Sequence, residues 1–371
     1  MCDSATVTSQ LSQRALNRAT LARQWLLERV ERSAEETVEH LVGMQAQAPF
    51  PPYYGLWCRI AGFDPAELAA ALLDRRVVRI VLMRGTVHLV TAADAAFLRP
   101  LVQVIMERDL RTNTTHRSAL HGLDLAAVAD AARVALADEA LPGRRLGEVL
   151  ARQWPDRSAP SLTHAARGLL PLVQVPPRAV WGRSGQTAYR TLDDGAGSTL
   201  DPAPNPARLV RRYLAAFGPA AVADVQAWSG LTRLREVVEP LRPALRTFTD
   251  EAGRELFDLP DAPRPDPDTP APVRFVAEFD NLLLSHADRT RVMSEDHRKR
   301  LFFTKNGVFP GTILVDGFLR GEWRIAGATL TVTPYARLSK KDTAALEREG
   351  RRLLAFARPT TDDRRVEFAG H

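Results

Sequence analysis

The stretch that decides the fold lies between residues 207 and 259. It opens with Ala207-Arg208-Leu209-Val210-Arg211-Arg212-Tyr213-Leu214-Ala215-Ala216-Phe217. Val222-Ala223-Asp224-Val225-Gln226-Ala227-Trp228 follows, then Leu231 to Leu241, then Leu245-Arg246-Thr247-Phe248. The first three pieces carry apolar residues at helical spacing, and the fourth is strand-like. Trp228-Ser229-Gly230-Leu231-Thr232, between two of the helices, is a helix-turn-helix signal. Helix, helix, helix, hairpin is the order of a winged helix.

The same order occurs twice upstream. In residues 11–90, Ser33 with Glu36 forms a capping box for a helix through His40. Asp64-Pro65-Ala66-Glu67 opens another helix, with Asp64 as N-cap and Pro65 in the first turn. Val77 to Met83 and Thr86 to Val90 then read as two strands joined at Arg84-Gly85. In residues 123–192 the helices are Leu125 to Ala137, Leu146 to Leu150 and Ser161 to Leu170. They are followed by Val173-Gln174-Val175 and Thr187-Ala188-Tyr189-Arg190 as strands. Three occurrences point to tandem winged helices.

Asp193 to Pro206 reads as a linker, and Leu259 to Pro272 holds six prolines in 14 residues, an extended spacer. Beyond it lie strand-like runs at Arg274 to Phe279, Leu282 to Ser285, Thr312 to Phe318, Glu322 to Ile325 and Thr329 to Thr333. A closing helix runs from Asp342 to Ala357. The expected fold is α+β, mostly α. It comprises a disordered tail (1–10), winged helices at 11–122, 123–192 and 207–259, and a C-terminal β-rich element with its helix at 273–357.

Composition narrows the class. The 371 residues are 45% hydrophobic and 25% charged, which excludes wholesale disorder. No apolar run reaches the roughly 18 residues of a membrane span, and residues 1–10 lack the apolar core of a secretory signal. Only Cys2 and Cys58 occur, so neither a disulfide framework nor a multi-cysteine zinc site is expected. His116 and His121 near Asp124 match no usual metal-ligand spacing, and no metal or cofactor is expected. A cytoplasmic, monomeric protein is the reading. The net charge is +6, and the only lysines are Lys299, Lys305, Lys340 and Lys341, leaving 46 arginines among 50 basic residues. A GC-rich genome accounts for that ratio. The basic balance still permits a polyanionic partner.

No P-loop, HExxH or GxSxG motif is present. The unusual segment is Met44-Gln45-Ala46-Gln47-Ala48-Pro49-Phe50-Pro51-Pro52. Val38, Leu41, Val42 and Gln45 fall at i, i+3, i+4 and i+7, which places Gln45 on the apolar face of a helix. An amide there needs partners or a cavity. Pro49 disfavours helix at Ala48, and in an extended terminus Gln45 and Gln47 project to one side. The competing reading is a satisfied core glutamine beside an unrelated surface one.

Gln45-Ala46-Gln47-Ala48-Pro49 resembles the Gln–apolar–Gln motif of the AlkZ-type DNA glycosylases, tandem winged-helix proteins also called YcaQ-like or helix-turn-helix 42. Further matches are Met83-Arg84-Gly85-Thr86-Val87-His88-Leu89-Val90, Glu278-Phe279-Asp280-Asn281-Leu282 continuing to Val292, and Gly311-Thr312-Ile313-Leu314-Val315-Asp316-Gly317. They occur in the family's order over most of the chain. The resemblance implies excision of N7-alkylated purines from double-stranded DNA, including bulky adducts and interstrand crosslinks. It also implies a setting of self-resistance to a genotoxic natural product such as azinomycin. Gln47 stands where the wider branch carries Asp, which points to the AlkZ-like side.

Two amides suit that chemistry. An N7-alkylpurine is already cationic and leaves as a neutral base, so no strong acid is needed. Placing a water near C1′ and stabilising an oxocarbenium-like sugar remain. Gln45 and Gln47 are therefore the candidate catalytic pair. The four lysines all lie after Arg298, so no Schiff-base lyase step is expected. Residues 286–305 carry Arg289, Arg291, Arg298, Lys299, Arg300 and Lys305 against three acids, a basic loop or hairpin for phosphates. Arg84 and His88 are further DNA-contact candidates, His88 alternatively orienting a strand. The rival class is a winged-helix DNA-binding regulator without catalysis, which leaves Gln45 unexplained.

Overall fold

The computed structural model describes residues 9–302 and 309–369. Its α+β architecture is built on three sheets. In the third segment, Asn205 caps the helix Pro206–Phe217 by accepting from the Ala207 N–H, with Pro206 in the first turn. Helix Val222–Ser229 ends at Gly230, whose φ of +81° stops the helix. Arg235–Val238 follows, then the hairpin Arg246–Asp250 and Glu255–Asp258. Ser9–Leu11 adds a parallel strand to this hairpin. Residues 9 and 10 are therefore part of a sheet, a correction to the expected disordered tail; residues 1–8 of that tail lie outside the described residues.

The first two hairpins are not separate wings. Val77–Val81 pairs with both Val87–Thr91 and Leu172–Gln174, through Arg79–Gln174 and Ile80–Val173. The outcome is one six-stranded sheet, running Met44–Gln45, Val87–Thr91, Val77–Val81, Leu172–Gln174, Ala188–Thr191, Leu141–Pro142. Each hairpin alone would leave an unpaired edge, and joining the edges satisfies both. The boundary expected at 122/123 therefore crosses a continuous sheet. Arg99 strengthens the joint, its buried guanidinium donating to the Gly168 carbonyl at 2.8 Å.

Packing divides differently from the chain order. One core joins the N-terminal helices, through Leu21, Val38 and Tyr53, to the C-terminal sheet and its helix, through Phe275, Ile313 and Leu353. That five-stranded sheet runs Arg274–Val276, Gly311–Val315, Phe318–Ala326, Thr329–Pro334, Arg365–Phe368, and Lys340–Ala357 packs on it. A second core joins Val78, Ile80 and Val90 of the six-stranded sheet to Tyr213 and Trp228 of the third segment. The proline-rich spacer is pinned: its carbonyls at Pro263, Pro267 and Thr269 accept from Arg23, Arg14 and Arg18.

Four local expectations fail. The helix expected over Leu231 to Leu241 is a short α-turn, Arg235–Val238, that tightens into the 3-10 stretch Glu239–Ala244 where Pro240 and Pro243 remove backbone donors. The linker expected from Asp193 opens inside the helix Leu192–Ala196, because Thr191 caps it by accepting from the Asp194 N–H. The apolar run Leu282 to Ser285 is helical, Asn281–Leu284, because Asp280 caps it by accepting from the Leu282 N–H. The helix carrying Val38 stops at His40, and Val42 and Gly43, at φ +54° and +89°, turn the chain into the strand Met44–Gln45. Gly43 is required there: a Cβ would meet Val90 Cγ1 at 2.4 Å. Gln45 thus sits on an edge strand, not on a helix face.

Candidate active site

The Gln–apolar–Gln motif starts on the edge strand Met44–Gln45 and continues into a bend that carries Gln47. In extended chain alternate residues share a side. Ala46 is fully buried against the first core, while Gln45 is 8% exposed and Gln47 is open to solvent. The backbone of Ala46 is held from both ends. Its N–H donates to the Val87 carbonyl at 2.8 Å, and its carbonyl accepts from Arg79 Nη2 at 2.6 Å. Arg79 is buried, and burial pushes its pKa down to about 10.

Both amides are fixed by groups that can only donate. Arg84 Nη2 donates to Gln45 Oε1 at 2.8 Å, and the Val87 N–H donates to Gln47 Oε1 at 3.1 Å. A guanidinium and a peptide N–H have no acceptor, so the amide oxygens must face them. The NH2 groups, and each oxygen's second lone pair, are left for other partners. Arg84 itself spans two parts of the molecule, its Nη1 donating to the Trp228 carbonyl. Gly230 allows this approach: a Cβ would stand 3.2 Å from Arg84 Cα.

Strained backbone occurs beside the motif. Val42, Arg84 and Phe279 all have positive φ, at +54°, +56° and +58°. A β-branched or aromatic residue in that region costs about 1–3 kcal/mol and tends to mark functional geometry. Asn281 clamps the turn before Gln45, donating from Nδ2 to the Gly43 carbonyl at 2.7 Å. Asp280 and Arg59 form a buried two-point ion pair at 2.8 Å for each contact.

Hollows flank the pair. One of about 10 Å³, room for a single water, is lined by Gln45, Glu278 and Asn281 among others. A groove of about 310 Å³ is lined by Pro49, Phe50, Tyr54, Glu278, Trp323 and Arg358. A third, of about 460 Å³, opens on the Arg84 side and includes Arg108 and Arg167.

Comparison with known proteins follows this geometry. The family model described as "DNA glycosylase AlkZ-like" matches residues 38–356. The chain belongs to the AlkZ-like DNA glycosylase family. It is 25% identical over 350 residues to the "Interstrand DNA cross-link repair glycosylase" of Streptomyces sahachiroi, covering 89% of this chain and 92% of that protein. The solved structure of Streptomyces sahachiroi DNA glycosylase AlkZ matches with a TM-score of 0.81 at 20% identity, covering 97% of this chain and all of that one. The protein is a DNA glycosylase built on that fold.

Within this AlkZ-like frame the basic candidates separate. Arg291 is buried, donating to the Pro219 carbonyl at 2.8 Å and to Thr20 Oγ1 at 3.3 Å, with Asp224 3.9 Å away. Its guanidinium is spent tying the third segment to the N-terminal helix, a correction to the expected DNA contact. His88 is corrected likewise. It is fully buried, its Nδ1–H donates to the Thr86 carbonyl at 2.9 Å, and burial holds it neutral with a pKa of about 3. Arg298, Lys299 and Arg300 lie on a helix, Glu295–Phe302, rather than on a loop or hairpin, while Arg289 lies in the irregular stretch before it. Arg298 is paired with Glu295 at 2.6 Å, while Lys299 and Arg300 are exposed, Arg300 lying over the Tyr335 ring. Lys305 lies outside the described residues.

This helix reaches the cleft through a chain of ring contacts. Arg289 lies 4.3 Å over Phe302, which meets Phe309, which meets Phe279 beside Glu278. Lys299→Ala with Arg300→Ala is expected to weaken duplex binding and flatten its log–log salt slope by about 2, near 0.9 per phosphate contact. An unchanged slope in a salt titration would remove the helix from the interface.

No role was assigned to Glu278, Asp280, Asn281, Arg59 or Arg79 by sequence reasoning. For Asp280 a signal existed: an acidic residue directly before an apolar run is an N-cap. Burial of an arginine, as at Arg59 and Arg79, leaves no such trace. His116 joins no metal cluster; it stacks on His164 and bonds Ser161 Oγ. Among the described residues no helix is long and apolar enough to span a membrane.

Proposed function

We propose that this glycosylase hydrolyses the N-glycosidic bond of N7-alkylated purines in duplex DNA, with bulky adducts and interstrand crosslinks as its substrates. The observation that carries the reading is a pair of neutral amides, Gln45 on an edge strand and Gln47 in the bend that follows it, their oxygens fixed by Arg84 and Val87, with a water-sized hollow beside Gln45. No acid is needed to expel the base, because the alkylated purine brings its own positive charge and leaves neutral. An unmodified guanine lacks that activation and stays bound to its sugar. The expected products are the free N7-alkylpurine and an abasic site.

The crosslink assignment has two supports. The Streptomyces sahachiroi relative is named for interstrand cross-link repair. A base tethered to both strands cannot rotate into a deep pocket, and the motif lies at a sheet edge between open grooves rather than at the bottom of one. By the same resemblance, the setting is self-resistance to a DNA-alkylating natural product of the azinomycin type, acting as a monomer. Hydrolysis proceeds without a lyase step; among the described residues no lysine lines the three hollows described above.

The test uses duplexes carrying N7-methylguanine or a nitrogen-mustard crosslink between guanines. Base release, revealed as alkali-labile strand breaks, is expected from both, with no adduct trapped by borohydride. Tight binding with no release would favour the non-catalytic regulator. Release from the monoadduct alone would remove crosslinks from the substrate range.

A further inference from the structure

The fixed amides create a chemical deficit. A water attacking C1′ must hand a proton to an acceptor. The amide oxygens of Gln45 and Gln47 are each engaged by an obligate donor, and their NH2 groups only donate. Amides are in any case very weak bases. His88 is buried and keeps its one free nitrogen inside the core. Asp280 is occupied by Arg59 and by the Leu282 N–H.

Glu278 remains. It is the one carboxylate common to the water-sized hollow beside Gln45 and the aromatic groove beside Pro49 and Phe50. It is half-buried, and among the described residues no hydrogen bond or ion pair engages its carboxylate. The positive φ of Phe279, between Glu278 and the tethered Asp280, breaks the regular extended course of the chain between them. Backbone strain maintained beside an unpaired, half-buried carboxylate is what a catalytic position requires.

We infer that Glu278 is the catalytic carboxylate that accepts the proton of the attacking water, an inference that rests on the hydrolysis proposed above. The water oxygen bonds to C1′ as the C1′–N9 bond breaks. The bonding electrons pass to the purine and cancel its N7 charge. One water proton goes to Glu278 and the other stays as the new 1′-hydroxyl. The ionised carboxylate also opposes the positive charge that builds on the sugar, as a neutral amide does only weakly.

Burial raises the Glu278 pKa above the ordinary glutamate value. The base form acts, so activity is present above that raised pKa and is lost as pH falls through it. The charged and titratable groups facing it are Tyr54, Arg59, Asp280, Arg324 and Arg358. The substrate is cationic without protonation, so an acid limb in the rate belongs to the protein.

Single-turnover release of N7-methylguanine, measured from pH 4.5 to 8.5, tests this. Glu278→Gln is expected to slow release at least 100-fold, to leave duplex affinity within threefold, and to abolish the acid limb. Glu278→Asp is expected to keep partial activity with a shifted limb, and it decides the matter should the Gln variant not fold. Wild-type rate and pH profile in either folded variant would overturn the assignment while leaving the glycosylase reading intact. Absence of release by the wild-type protein at every pH would instead overturn the reading itself.

Discussion

Replacing Gln45 and Gln47 together with alanine is expected to slow release of N7-alkylguanine by about 10²–10³-fold while duplex binding survives. The magnitude is that of removing a preorganised hydrogen-bond donor aimed at a reacting centre. Neither amide carries charge, so their loss leaves the phosphate-binding surface unaltered. The single variants should not behave alike. Gln45→Ala removes the partner of Arg84, leaving a half-buried guanidinium bonded only to the Trp228 carbonyl. Part of its effect therefore arrives through a loosened contact between the first hairpin and the third segment. Gln47→Ala frees the backbone N–H of buried Val87 but breaks no contact between segments, so its effect should fall mainly on the chemical step. Because the amides address one water and one sugar, the double variant should lose less than the two single losses combined. Gln47→Asp is the sharper probe: a carboxylate still accepts from the Val87 N–H and should retain part of the rate. Full single-turnover activity in the double alanine variant would falsify the assignment.

The spacing of the two glutamines was legible, and the element that carries them was not. Val38, Leu41, Val42 and Gln45 satisfy helical periodicity, and all four are buried. Burial there comes from a helix, a turn and a strand in succession. Only Gly43 hinted at the break, and its need for positive φ arises from Val90, distant in sequence. The first two helices of the third segment could be read because their apolar spacing and the turn at Gly230 are local. The fusion of the first two hairpins could not, since Arg79 finds Gln174 through long-range pairing that leaves no periodic trace. Arginine counting also misled. Arg18, Arg23, Arg59, Arg79, Arg99 and Arg291 are buried, so much of the positive charge ties segments together and is unavailable to a polyanion. Charge density along a chain does not report depth, which is why Arg291 looked like its neighbour Arg289.

Breaking the Arg59–Asp280 pair is expected to destabilise the protein by about 3–5 kcal/mol, because one buried charge is left without its partner. Both side chains are 1% exposed, and Arg59 also bonds the Gly55 carbonyl at 2.9 Å and Gln24 Oε1 at 3.2 Å. Asp280→Ala, read as the midpoint of chemical denaturation, should show the full loss. Arg59→Met combined with Asp280→Ala should recover part of it, since no charge then remains buried. The rate separates the pair's two effects. Asp280 lies between Glu278, in the cleft, and Asn281, which holds the Gly43 carbonyl ahead of Gln45. A stabilised double variant regains the fold but not the anchor that fixes this segment, so base release should stay at least tenfold slow. Full activity in that variant would reduce the ion pair to a packing element. Slow release at restored stability would show that the segment from Glu278 to Asn281 is positioned for chemistry by a charge pair buried behind it.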